Sequence, residues 1–209
     1  MTNAATTTSA WWERLARSPW PSALAVLFFV LAALIEIHKF GAWRKAELFE
    51  WDIEGYHHYL PATIIHGDVS DLSYVDSLDR MMHDVQDHTS FGIHRMESTG
   101  RHLNKFTYGV SLFNLPGFLI AHAYARFTDS AMADGYTRPY QIAVMLSTVL
   151  FAAIGLWLLS EFLLRCVSGR DATVALVIIG FGTNLFFYST LNSGMSHAYV
   201  FFLFAWVLW

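Results

Sequence analysis

The sequence is poor in cysteine and poor in charge, and each shortage narrows what the chain can be. Cys166 is its one cysteine, which excludes an internal disulfide framework and gives no thiolates for a zinc cage. Charged residues make up 14% of the chain with a formal net charge of -4, so there is no basic surface for nucleic acid. Arg14 and Arg17 precede an apolar run, as they would in a signal peptide. That run is long for such a peptide, however, and no small-x-small cleavage site follows it. Beyond a Thr/Ala/Ser-rich start there is no low-complexity tract, and no internal repeat.

What the sequence has in abundance is uninterrupted apolar length. Uncharged stretches run Ser18 to Ile35, Phe106 to Ala125, Pro139 to Ser160 and Ala172 to Trp209. A helix needs roughly 20 mostly apolar residues to cross a hydrocarbon core of about 30 Å. A small soluble domain can hardly enclose four helices that are apolar all round. The last stretch is too long for one helix, and the turn-forming Asn192-Ser193-Gly194 divides it into a span from Ala172 to about Thr190 and another from near Met195. Ser196 to Trp209 would rise only about 21 Å, so the natural protein is expected to continue beyond Trp209.

The fold class that follows is an all-α polytopic membrane protein of about five transmembrane helices. A cytoplasmic tail occupies 1–17, a first span 18–38 and an exported loop 39–105, with four further membrane segments over 106–209, the last incomplete. Trp11, Trp12 and Trp20 suit the headgroup level, and Arg14 and Arg17 put the N-terminus inside. The loop from Lys39 to Lys105 holds eleven Asp/Glu against seven Lys/Arg, and seven of the ten histidines. Polar chemistry is concentrated there. Alternation then puts Arg126 to Arg138 inside and Arg165 to Asp171 outside, although Arg165 and Arg170 run against the positive-inside tendency.

Within the loop, Trp51-Asp52-Ile53-Glu54-Gly55-Tyr56-His57-His58-Tyr59-Leu60-Pro61 is the densest run of reactive side chains. Two carboxylates, two imidazoles and aromatic rings near a bilayer surface can orient a polar substrate, bind a cation or accept a proton. A plain interfacial segment with aromatic anchors has the same composition. If the run is helical, Asp52 faces Tyr56 and Glu54 faces His58; if extended, Asp52 and Glu54 share a side. His83-Asp84-Val85-Gln86-Asp87-His88 has helical spacing compatible with a divalent cation, though such pairs are commoner on solvated helices. A third cluster, Asn104-Lys105-Phe106-Thr107-Tyr108-Gly109, precedes Leu112, Asn114 and Pro116. Lys105 at the mouth of a span can neutralise a phosphate, or simply snorkel. Asn184, Asn192, Ser196, His197 and His122 are polar groups in apolar surroundings, suited to hydrogen bonds between helices.

The order of these features resembles the GT-C glycosyltransferase superfamily, in particular relatives of the protein O-mannosyltransferases and of the aminoarabinose transferase of lipid A. In that family an aspartate opens the exported loop, an aromatic follows four residues on, and a Gly-Asp pair about eleven beyond. Asp52, Tyr56 and Gly67-Asp68 stand at those places. The family's basic lead-in to the second span is matched by Lys105 to Gly109, without its usual prolines. The common form of the loop motif has adjacent Asp and Glu, whereas here Ile53 separates Asp52 from Glu54. The resemblance runs from about Ser22 to Trp209.

It implies inverting transfer of a sugar from a polyprenyl-phosphate donor to an acceptor lipid, glycan or protein, in a multi-pass protein of a bacterial plasma membrane. Asp52 would be the general base, with Glu54 able to act in its place. Lys105 would stabilise the leaving phosphate, while Tyr56, His57 and His58 would help bind substrate. The rival expectation is a non-enzymatic membrane transporter or metal-binding membrane component. Transporters commonly carry ionisable groups deep in their spans, and this chain has few besides His122 and Glu36.

Overall fold

The computed structural model describes residues 20–41, 48–75, 93–128 and 131–209. The expected interfacial residues Trp11, Trp12, Arg14 and Arg17, and the His83 to His88 cluster, lie outside the described residues. The described chain is mostly helical. Its helices are α1 (Trp20–Phe40), α2 (Trp51–His57), α3 (Tyr59–Pro61), α4 (Gly109–Phe127), α5 (Arg138–Cys166), α6 (Gly169–Gly182), α7 (Leu185–Thr190) and α8 (His197–Leu208). A π-helical turn, Ala62–His66, follows α3. Strands β1 (Ile93–Arg95) and β2 (His102–Asn104) form an antiparallel ladder with Ile93 opposite Asn104 and Arg95 opposite His102. The described residues are thus mostly helical, as expected, and this short ladder lies in the polar segment where no apolar helical period exists.

Two described helices, α1 and α5, are long and apolar enough to cross a membrane by length and composition. The 21 residues of α1 rise about 31 Å, and the helix runs two residues past the expected 18–38 boundary. The expected second span is displaced: α4 begins at Gly109 and carries Pro116, Asn114 and His122 within its 19 residues. The expected fourth span, Ala172 to Thr190, is two helices. At Thr183 the backbone is extended, and the Thr183 hydroxyl donates to the Ile179 carbonyl (2.6 Å) and accepts from Leu185 N–H (3.2 Å). A side chain that satisfies the end of one helix and the start of the next favours a break. The turn expected at Asn192-Ser193-Gly194 separates α7 from α8, with Gly194 at φ +97°.

The chain forms two compact units. The first comprises Met1–Lys39, Val149–Thr190 and His197–Trp209. Its core is Val26, Phe29, Ala152, Leu156, Leu159, Leu176, Leu185, Ala198 and Ala205. Phe29 meets Phe186 edge-on at 5.7 Å between ring centroids and Phe181 at 5.6 Å. On α1 the buried residues Ser22, Val26, Phe29, Ala33 and Ile37 recur every three or four positions and make one face. Its other faces expose Leu24, Leu27, Phe28, Leu31 and Ile35. Ser168 starts α6, accepting from Asp171 N–H and donating to the Asp171 carboxylate.

The second unit comprises Phe40–Thr148 and Leu191–Ser196. In it α2 and α3 lie against α4, and α4 packs on the first turns of α5, where Phe118 meets Tyr140 at 5.0 Å and His122 bonds the Tyr140 hydroxyl at 2.7 Å. His122 thus makes the helix-to-helix hydrogen bond expected of it. The turn between α7 and α8 belongs to this unit too, with Gly194 N–H donating to Thr148 Oγ1 at 3.0 Å.

Candidate functional site

The site is built on α2. Glu50 is extended and Trp51 takes φ +55°, a left-handed conformation that costs an L-residue about 1–2 kcal/mol, before the chain becomes helical. His58 N–H bonds the Glu54 carbonyl at 3.0 Å and Ala62 N–H the His58 carbonyl at 3.0 Å, so helical pairing carries through α3. Helical spacing therefore decides which side chains meet. Glu54 and His58 share a buried face, while Asp52 and Tyr56, four residues apart, are both half-buried.

The buried face holds a polar network. His58 is fully enclosed, with Nε2 at 3.2 Å from Glu54 Oε1 and Nδ1 at 2.7 Å from the Tyr136 hydroxyl. Burial pushes the Tyr136 hydroxyl far above the ordinary phenol range, so it keeps its proton. The tautomer that pairs both ring nitrogens has Nε2–H donating to the Glu54 carboxylate and Nδ1 accepting from the Tyr136 O–H. Tyr74 O–H donates to the His58 carbonyl at 2.9 Å, and its own pKa is likewise pushed up by burial. Beside it, His57 Nε2–H donates to the Gly135 carbonyl at 2.7 Å while its ring stacks on Phe49 at 3.8 Å. Burial, and secondarily the neighbouring His58, lower the His57 pKa to about 3, leaving it neutral. Its Nδ1 is buried without a hydrogen-bond partner among the described residues.

The other side of α2 meets the lead-in to α4. Asn104 Nδ2–H donates to the Gly55 carbonyl at 2.7 Å, and its Oδ1 accepts from Phe106 N–H at 3.0 Å. Ser111 O–H donates to the Tyr56 carbonyl, Tyr59 O–H to the Phe106 carbonyl at 2.6 Å, and the Tyr56 ring lies 4.8 Å from that of Phe106. A Cβ on Gly55 would land in the Phe106 ring, so this approach requires glycine. Lys105 is exposed, its Nζ 4.9 Å from the Phe106 ring centroid. The Asp52 carboxylate makes no hydrogen bond or ion pair with any described residue.

The first and third sequence clusters are thus brought together, and their side chains are sorted. Glu54, His57 and His58, expected to act on or bind substrate, are buried and engaged inside the protein. Asp52, Tyr56 and Lys105 remain accessible. The Gly67-Asp68 pair is structural. Gly67, at φ +62°, ends the π turn, and the Asp68 carboxylate accepts from Asp71 N, Leu72 N, Ser73 N and Ser73 Oγ. The Ser73 bonds foremost hold its pKa below the usual carboxylate range. The turn so fixed delivers Tyr74 to His58. Sequence reasoning passed over Tyr74, Gly135 and Tyr136; the only available signal was the turn-forming Asp134-Gly135 before an aromatic. No family model, curated protein or solved structure matches the chain.

Proposed function

We propose that this chain is a multi-pass membrane glycosyltransferase that moves a sugar from a polyprenyl-phosphate donor to an acceptor hydroxyl at the outer membrane face. One contrast carries the reading. Of the two carboxylates on α2, Glu54 is buried against His58, while Asp52 is half-buried and unpaired among the described residues. A base must reach its proton, so Asp52 is the carboxylate suited to the task. Lys105 lies on the segment that Asn104 and Tyr59 tie to α2, where a cation can offset a leaving phosphate.

In the proposed step the acceptor oxygen bonds to the anomeric carbon as the bond from that carbon to the phosphate oxygen breaks. The electron pair leaves with the polyprenyl phosphate, and the acceptor's proton passes to Asp52. The membrane setting is supported by apolar side chains left uncovered on the long helices α1 and α5, such as Phe28 at 62% exposed and Leu150 at 56%. A long isoprenoid tail would remain in that bilayer while its phosphosugar meets the interface.

The test is substitution in the membrane-embedded protein. Asp52→Asn keeps size but removes the proton acceptor, and turnover should fall about 10²-fold or more with donor binding retained. Glu54→Gln should act chiefly on stability. Normal turnover in Asp52→Asn with a dead but folded Glu54→Gln would move the base to Glu54, and activity in both would refute the mechanism.

A further inference from the structure

A second polar site lies away from α2, at the β1–β2 hairpin. A cleft of about 320 Å³ is lined by Asp71, Ser73, Arg95, Thr99, Arg101 and His102. Arg95 stands opposite His102 in the ladder, which puts both on one face. His102 is anchored by its ring Nδ1 on the Asp71 carbonyl at 2.9 Å. Each arginine is held by its inner nitrogen: Arg101 Nε lies 3.0 Å from Asp71 Oδ1, and Arg95 Nε–H donates to the Gly100 carbonyl at 3.4 Å. The terminal guanidinium nitrogens of both have no hydrogen-bond partner among the described residues.

That arrangement has a chemical meaning. A guanidinium tethered through Nε keeps its outer N–H groups for a second acceptor, and planar donor pairs match phosphate oxygens. The two cations are met by the Asp71 carboxylate and, behind Ser73, by the Asp68 carboxylate, so the cleft is close to charge-balanced and it is the outer N–H groups of the tethered guanidiniums that offer an anion its contacts. Asp71 has its carboxylate on Arg101 and its carbonyl on His102, and the Ser73 and Thr99 hydroxyls complete a polar wall. The volume is at the small end for ligand sites, larger than one phosphate and suited to a phosphate carried on a small polar group.

We propose that this cleft binds a phosphate monoester, with Arg95 and Arg101 holding the phosphate and Ser73 and Thr99 facing the group that bears it. The site is separate from Asp52, and its test needs no transfer activity.

The purified chain in nanodiscs of neutral phosphatidylcholine is titrated with glucose 6-phosphate, and with glucose as control. Glucose 6-phosphate should bind and glucose should not. Arg95→Gln with Arg101→Gln should weaken binding about tenfold or more, and added salt should weaken the parent's binding but hardly the variant's. Arg95→Lys should retain part of it, and Glu97→Gln, on the exposed hairpin turn, should bind at least as well as the parent. Adding phosphatidic acid to the nanodiscs separates the sources. Competition marks a lipid headgroup as the ligand, no competition marks a soluble phosphate, and either supports the site if the arginines are required. Binding unchanged in the double variant, or equal binding of glucose, overturns it.

Discussion

The unit containing α1 and α6 to α8 has an aliphatic and aromatic core, whereas the unit containing α2 to α4 buries a carboxylate, two imidazoles and a glutamine. Threonine hydroxyls donate four residues back in both, as Thr173 does to Gly169 in the first and Thr148 to Val144 in the second, so the difference lies in the buried imidazoles. In the second, His57 and His58 find partners 78 residues away. A helix that closes its own hydrogen bonds can sit in lipid or protein alike. A buried imidazole that depends on a distant carbonyl fixes one tertiary arrangement, and leaving it unpaired is costly.

If the comparison is right, acid should reach the second unit first. His57 has a folded pKa near 3 against 6.5 for the free side chain, so the unfolded chain takes up the proton first. Stability from keeping His57 neutral is complete above about pH 6.5 and is lost as pH falls toward 3, on the order of 5 kcal/mol over the window. Thermal unfolding between pH 7 and 4 should show that slope, and His57→Phe, which keeps a ring against Phe49, should flatten it. A slope equal in both proteins would remove His57 as its source.

A smaller effect is expected at Tyr136. Tyr136→Phe withdraws the hydrogen that His58 Nδ1 accepts and should cost about 1–3 kcal/mol in denaturant unfolding, because an enclosed nitrogen loses its donor. No loss would mean that Tyr74, whose hydroxyl stands 3.5 Å from the same nitrogen, had taken over.

The smallest effect belongs to the first unit. Ser22 Oγ and Thr173 Oγ1 lie 3.2 Å apart, but Thr173 already bonds Gly169. Ser22→Ala should therefore cost about 0.6 kcal/mol in a bilayer, the usual worth of a hydrogen bond between membrane helices. A cost matching that of Tyr136→Phe would erase the distinction between the units.

Local geometry was readable in the sequence and distant pairing was not. The i,i+4 relations of Asp52 with Tyr56 and Glu54 with His58 follow from helical period alone, and so does the break at Asn192 to Gly194. Which of the two faces would be covered was hidden, because the cover comes from Gly135 and Tyr136, in a segment that reads only as a connection. Thr183 escaped notice because a threonine in an apolar run signals nothing until its hydroxyl is seen bridging two helix ends. The hairpin cleft was equally invisible, since Asp71 joins Arg101 and His102 only through the fold.

Asn104 adds a consequence in chain statistics. Its one amide grips Gly55, 49 residues earlier, and the backbone of Phe106, so the stretch between is a loop closed at its base. The entropy of closing such a loop grows only with the logarithm of its length, about 0.6 kcal/mol for each doubling. Most of that cost is thus set whatever the exact length of the loop, and a change of Asn104 itself would open the ring where α2 meets α4.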